Sequence, residues 1–155
     1  MILESNTTEC LVEFLNTTTY DMKTVKSYVP DIHYGKVIKV YDGDTITIAT
    51  TLHNGGLSPS FGLYKFSVRI LGVDTPELKT KNVPEHELGI ISRDALSRFI
   101  MNKVVRLENI SYDKYGRILC NIFLDDINIS EWLISNNYAV SYDGGTKVKK
   151  WGQDV

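Results

Sequence analysis

Cysteine and histidine are scarce in this chain, and each scarcity removes a class of chemistry. Two cysteines, Cys10 and Cys120, are too few for a disulfide scaffold. Cys120 falls in an apolar strand pattern, and both read as reduced thiols of an intracellular, cytoplasmic protein. The three histidines, His33, His53 and His86, are scattered, and no Cys or His pair has zinc-ligand spacing. No Ser or Cys has a visible base partner for nucleophilic catalysis. Net positive charge is also missing: 17 Lys and Arg stand against 19 Asp and Glu. A polyanion would therefore have to be held by a local cluster of cations and not by a global field. No apolar run approaches the roughly 18 residues of a membrane helix. The start, MILESNTTEC, has an early acid and no apolar stretch of signal-peptide length. The sequons at Asn6, Asn16, Asn109 and Asn128 would matter only in a secretory compartment, to which nothing points.

What is present is an ordinary globular composition, 43% hydrophobic and 23% charged, in 155 residues. That suffices for one domain with a real core. Residues 1–33 read as an N-terminal extension, residues 34–151 as the domain, and 152–155 as a tail. Within the extension, NTTECLVEFL suits a short helix with Asn6 as N-cap and Glu9 in the capping-box position. The polar stretch that follows, with Pro30 as a breaker, reads as irregular.

From Tyr34 the pattern sharpens. KVIKVY and TITIAT flank Asp42-Gly43, a hairpin signal in which Gly would accept a positive φ. LYKFSVRILGV is a third strand, in which Phe66, Val68 and Ile70 share a face that excludes Arg69. A turn, DTPELKTKNVPEH, leads to a helix around Gly89–Asn102 with an apolar stripe of Ala95, Leu96, Phe99 and Ile100. VVRLENI and RILCNIFL are two further strands around SYDKYG, with Ile118, Cys120, Ile122 and Leu124 on one face. Asn128 can cap a last helix, with Glu131 three residues on and Ile129, Trp132 and Leu133 turned inward. This order predicts an α+β, mainly β fold: a five-stranded Greek-key barrel of the OB type with two or three helices.

Three segments carry carboxylates and arginines at turns: YDGDT (Tyr41–Thr45), RILGVDTPE (Arg69–Glu77) and DKYGR (Asp113–Arg117). Taken singly, each has a plain structural reading, as a hairpin, a turn opened by Pro76, and a loop with Gly116 at positive φ. Arg69 resists that reading, because a guanidinium in an apolar strand needs an anionic partner.

Taken together and in this order, the three segments resemble the staphylococcal (thermonuclease) nuclease family of OB-fold, calcium-dependent phosphodiesterases. The resemblance runs from about Gly35 to Tyr142. It implies that Asp44 and Asp74, with the backbone carbonyl of Thr75, bind one Ca²⁺, and that Asp42 supports them from behind. It implies Glu77 as general base, Arg69 and Arg117 as phosphate clamps, and Lys114 and Tyr115 as lining of the nucleotide pocket. Tyr142 is either an aromatic that stacks on a base or an ordinary surface tyrosine. Such an oxygen set suits calcium, and an arginine fork matches two phosphate oxygens.

The implied activity is sequence-indifferent cleavage of DNA and RNA, single-stranded or frayed, leaving 3′-phosphate ends, by a monomer with no membrane association. The alternatives are an OB-fold nucleic-acid-binding module that has lost turnover, or a scaffold whose extension docks a partner. The chain departs from the family in three places. The loop after the second strand is longer, and the loop after Glu77 is shorter and only lightly basic (Lys79, Lys81). The C-terminal YAVSYDGGTKVKKW has a Gly-Gly pair that argues for a turn or loop instead of a further helix.

Overall fold

The structure is a computed structural model that describes residues 2–52 and 62–153. His53 and most of the loop expected after the second strand lie outside the described residues. In chain order the elements are α1 (Ile2–Thr17), β1 (Tyr34–Val40), β2 (Thr45–Thr50), β3 (Tyr64–Ile70), β4 (Val73–Asp74) and α2 (Val83–Ile100). They continue with β5 (Val104–Tyr112), β6 (Ile118–Leu124), β7 (Ile127–Asn128), α3 (Ile129–Ser135) and β8 (Val140–Ser141).

Five of these strands close a barrel. β1 pairs antiparallel with β2 and β5, β2 with β3, and β5 with β6. The seam is a parallel pairing of β3 with β6, which sets Arg69 opposite Leu119. This is the expected α+β OB-fold, with three helices. Strict alternation drives it: β6 buries Ile118, Cys120, Ile122 and Leu124 and half-exposes the residues between them. Val37, Ile46, Ile48, Val68, Ile70, Val105 and Leu107 fill the same interior. β5 shifts register between Glu108 and Ser111, where Asn109 takes φ 56°, and such a bulge lets a long strand bend around a barrel. Burial pushes the Cys120 thiol up to about 12, which leaves it unreactive.

Two of the three helices pack against the barrel core. α2 contributes Leu96 and Ile100 to the core, and α3 contributes Ile129 and Leu133. Phe99 of α2 stacks on Trp132 of α3 with centroids 4.4 Å apart. α3 begins as expected at Asn128, whose side chain accepts from the N–H groups of Ser130 and Glu131. α2 starts earlier than the sequence suggests, at Val83 and not near Gly89. Asn82 caps it by accepting from Glu85 N at 3.1 Å, and Pro84 occupies the first turn, where its missing N–H costs nothing. Gly89 sits mid-helix because a Cβ there would come within 2.9 Å of the Pro76 carbonyl oxygen.

At the N-terminus, Asn6 lies inside α1 and not at its start. Leu11, Phe14 and Leu15 of that helix are exposed and take no part in the core. Ile32, by contrast, is buried in it, and His33 O accepts from Leu107 N at 2.9 Å.

Candidate active site

The three segments singled out in the sequence meet at one end of the barrel. The first is the turn between β1 and β2. Tyr41 N donates to Thr45 O at 2.9 Å, and Asp42 accepts from Asp44 N at 3.2 Å. Asp42 thus braces the turn from behind. Gly43 does not serve it through positive φ, as the Asp-Gly pair suggests. Glycine is needed because the turn is pressed onto its neighbours. A Cβ on Gly43 would lie 2.3 Å from Ser92 Oγ and 2.9 Å from Thr75 Cβ.

That close approach carries Asp44 to Thr75. Thr75 Oγ1 donates to Asp44 Oδ2 at 3.0 Å, and Thr45 Oγ1 donates to Asp44 Oδ1 at 3.0 Å. Arg69 supplies the anionic partner's counterpart that its apolar strand demanded. Its Nη1 lies 2.6 Å from Asp44 Oδ2, while its Nη2 donates to Val73 O at 2.9 Å. One guanidinium therefore ties the first turn to β4, which ends in Asp74. Burial drives the Asp44 carboxyl up to about 7, against the pull of Arg69, with the nearby Asp42 charge adding to the rise and hydrogen bonds from Thr45 and Thr75 opposing it.

Asp74 is pinned by sheet pairing. It faces Val140 across the β4–β8 ladder, and its side chain is only 3% exposed. Two residues that the sequence reading did not single out contact it. Lys147 Nζ lies 2.7 Å from Asp74 Oδ1 and 2.7 Å from Glu77 Oε1, and Trp151 Nε1 donates to Asp74 Oδ2 at 3.3 Å. Asp74 Oδ1 is buried and has no well-directed hydrogen bond, only this ion pair. Partial burial works to lower the Lys147 ammonium, but its close contacts with Asp74 and Glu77 and their charges prevail and hold it above the ordinary lysine value. Glu77 stands at the rim, with its side chain about half exposed.

The third segment is the loop between β5 and β6. Gly116 takes φ 78°, as expected. Asp113 organises the rest: its Oδ1 accepts from Tyr115 N at 2.8 Å and Arg117 N at 2.9 Å, and its Oδ2 lies 2.6 Å from Arg117 Nε. Burial works to raise the Asp113 carboxyl, but the Arg117 and Tyr115 hydrogen bonds prevail and hold it below the usual range. Arg117 Nη1 reaches Thr45 Oγ1 at 3.3 Å, which brings this loop to the first turn. Tyr115 is exposed, with the Lys114 ammonium 5.0 Å and the Arg117 guanidinium 5.4 Å from its ring centre.

Tyr142 follows β8. Its N–H donates to Gly72 O at 3.0 Å, and its hydroxyl donates to Gly145 O at 2.7 Å. It lines a cavity of about 810 Å³ together with Asp74, Thr146, Lys147 and Lys150. As the Gly-Gly pair suggested, Tyr142 leads into irregular chain and no further helix follows among the described residues.

The donor set at Asp44 and Asp74 is all hard oxygen. Two carboxylates and a neighbouring carbonyl suit a cation that also keeps water and substrate oxygens, whereas a cage of three or more His, Cys, Asp or Glu is absent among the described residues. No helix among the described residues is long and apolar enough to cross a membrane.

Comparison with known proteins places the chain among relatives. The chain is 32% identical over 141 residues to an uncharacterised protein of Methanocaldococcus jannaschii, covering 76% of this chain and 63% of that one. It is 34% identical over 106 residues to a thermonuclease of Staphylococcus hyicus, covering 67% and 56%. With an uncharacterised endonuclease of Escherichia coli it shares 27% identity over 114 residues, covering 73% and 63%. The chain thus spans less than two thirds of the length of these relatives. The family model described as staphylococcal nuclease homologue matches residues 67–153, from within β3 to beyond Trp151. By this match, the chain belongs to the staphylococcal nuclease homologue family.

Proposed function

We propose that the chain is a calcium-dependent nuclease that hydrolyses phosphodiester bonds of DNA and RNA with little sequence preference. The observation that carries the reading is the double tie of Arg69 to Asp44 and to Val73 O, beside Arg117. Two guanidinium forks stand next to a pair of buried aspartates, which a purely structural turn does not need.

Asp44, Asp74 and the Thr75 carbonyl would hold one Ca²⁺. When bound, the ion supplies charge that polarises a phosphate oxygen and stabilises the charge that develops on phosphorus. The remaining work falls to this chain's own residues. Arg69 and Arg117 grip the non-bridging oxygens of the scissile phosphate, and their attraction grows as that group gains negative charge toward the transition state. Glu77, at the solvent rim, accepts a proton from the attacking water. The 5′-oxygen then leaves and the product ends in a 3′-phosphate. Asp113 keeps the Arg117 fork in place through its bond to Nε, and Thr45 Oγ1 accepts from Nη1, which leaves Nη2 for substrate. Tyr115 and Lys114 offer a ring and a cation to the adjoining nucleotide, and Tyr142 offers a second ring. Single-stranded or frayed substrate suits a site that a phosphate must enter from the rim, and a monomer carries every residue invoked.

A second reading, a nucleic-acid-binding module without turnover, draws on the Lys147 ammonium that already neutralises Asp74 and Glu77. One assay separates the two. Labelled DNA and RNA are incubated with millimolar calcium or with EGTA, and the ends are analysed. The nuclease reading expects cleavage with calcium, none with EGTA, 3′-phosphate ends, and loss of cleavage in Glu77→Gln. Chelator-indifferent binding without cleavage overturns it in favour of the module.

A further inference from the structure

We propose that Lys147 is an internal cation of the metal site, which a divalent ion must expel from Asp74 before it can bind. The inference rests on the reading of Asp74 as a metal ligand and adds a competitor built into the chain. The ammonium sits 2.7 Å from Asp74 Oδ1 and 2.7 Å from Glu77 Oε1, so one oxygen of the proposed ligand is already held by a cation. Asp74 Oδ1 is buried and offers Lys147 an ion pair without a well-directed hydrogen bond. Asp74 Oδ1 is thus exchangeable, because a second cation can replace the ammonium there without breaking a directed hydrogen bond to that oxygen, and the bond to Glu77 Oε1 is made at the exposed rim, where water can replace it.

Charge gives the direction of exchange. Asp74 shares one ammonium with Glu77 and stays under-neutralised, while a divalent ion attracts it more strongly. Geometry provides the exit. Asp74 is 3% exposed, but the Lys147 side chain is 45% exposed and borders the 810 Å³ cavity beside Thr146 and Lys150. The lysine stem can therefore swing out without opening the core. The segment that carries it stays attached at both ends while this happens. Tyr142 N is bonded to Gly72 O before it, and Trp151 Nε1 is bonded to Asp74 Oδ2 after it. The backbone over 143–150 forms no regular helix or strand that the swing would have to break.

Calcium titration calorimetry on the full chain tests the proposal, with Trp151 fluorescence as a parallel signal. Lys147→Met, which keeps the stem and loses the charge, should bind Ca²⁺ about tenfold more tightly than the unaltered protein. Lys147→Arg keeps the charge, with a fork that can hold both carboxylates, and should bind Ca²⁺ no more tightly than the unaltered protein. In metal-free buffer Lys147→Met should melt lower, because Asp74 loses its partner, and calcium should raise its melting temperature more than it raises that of the unaltered chain. Equal or weaker calcium binding by Lys147→Met overturns the inference while leaving Asp74 as a ligand. Asp74→Asn separates the two failures. If the unaltered chain and Lys147→Met show no calcium heat beyond that of Asp74→Asn, the metal-site reading falls and the competitor with it.

Discussion

Substituting alanine for Gly43 should damage the site by distance alone. The backbone at Gly43 lies outside the left-handed region, so alanine brings no dihedral penalty there. Its Cβ, however, would stand 2.3 Å from Ser92 Oγ and 2.9 Å from both Thr75 Cβ and Cγ2. Restoring ordinary contact requires the β1–β2 turn to retreat from α2 and Thr75 by roughly 0.5–1 Å, an overpacking that costs about 1–3 kcal/mol. The same retreat carries Asp44 away from Asp74 and Thr75. Calcium–oxygen distances span only about 2.3–2.6 Å, so such a shift should weaken calcium binding by about tenfold or more. Urea denaturation with and without calcium, together with calorimetry, measures both effects. Ser92→Ala removes the nearest clashing atom, at the expense of its 3.0 Å bond to Tyr138 O, worth about 1 kcal/mol. The double variant should then be more stable than the two single losses predict, by about 1 kcal/mol. If Gly43→Ala unfolds at the same urea concentration and binds calcium as before, the convergence of the two turns is not what shapes this site.

Three further outcomes follow from the site. Because the Asp44 carboxyl is raised to about 7 in the folded chain, calcium must displace its proton in acid, and apparent affinity should fall toward about tenfold per pH unit below 7. By the same linkage the metal-free fold holds a proton that the unfolded chain has lost between about pH 4 and 7. Its stability should therefore decline as pH rises through that window, by at most about 4 kcal/mol, and denaturation of Asp44→Asn should lack the slope. Asp113 lies below its usual range, so the stability it lends is present above the unfolded carboxylate value and is lost as pH falls through the lower folded one. Asp113→Asn should remove that acid-side loss and weaken binding of a mononucleotide, measured by fluorescence titration. Arg69→Lys keeps the charge but cannot span Asp44 and Val73 O together. It should lower stability by about 1–3 kcal/mol and abolish detectable cleavage, and a variant that still cuts at the unaltered rate would contradict the clamp.

The barrel was legible because its signals are local. Alternation marks β6 residue by residue, and Asn128 with Glu131 marks the start of α3. The start of α2 was also written in the chain, as Asn82 followed by Pro84, but it lay hidden within a run of polar residues that reads as turn. Gly43 was recognised at the right place for the wrong reason. A hairpin glycine suggests a dihedral need, whereas the actual constraint comes from Thr75 and Ser92, which only the folded chain brings near. Lys147 and Trp151 escaped altogether. Their partner, Asp74, is more than seventy positions away, and no periodicity or spacing rule reaches across that distance. Asp113 was visible as part of a loop, but its grip on Arg117 depends on two side-chain directions that a string of letters does not contain.

The parallel seam between β3 and β6 has a temporal consequence. Arg69 and Arg117 belong to stretches synthesised 48 residues apart, and zipping β3 against β6 brings those stretches side by side. A nascent or partly denatured molecule consequently owns both cations yet no paired grip. On the proposed nuclease reading, maturation of the polypeptide and arming of its phosphate cradle become a single event, and half-made copies would lack the grip.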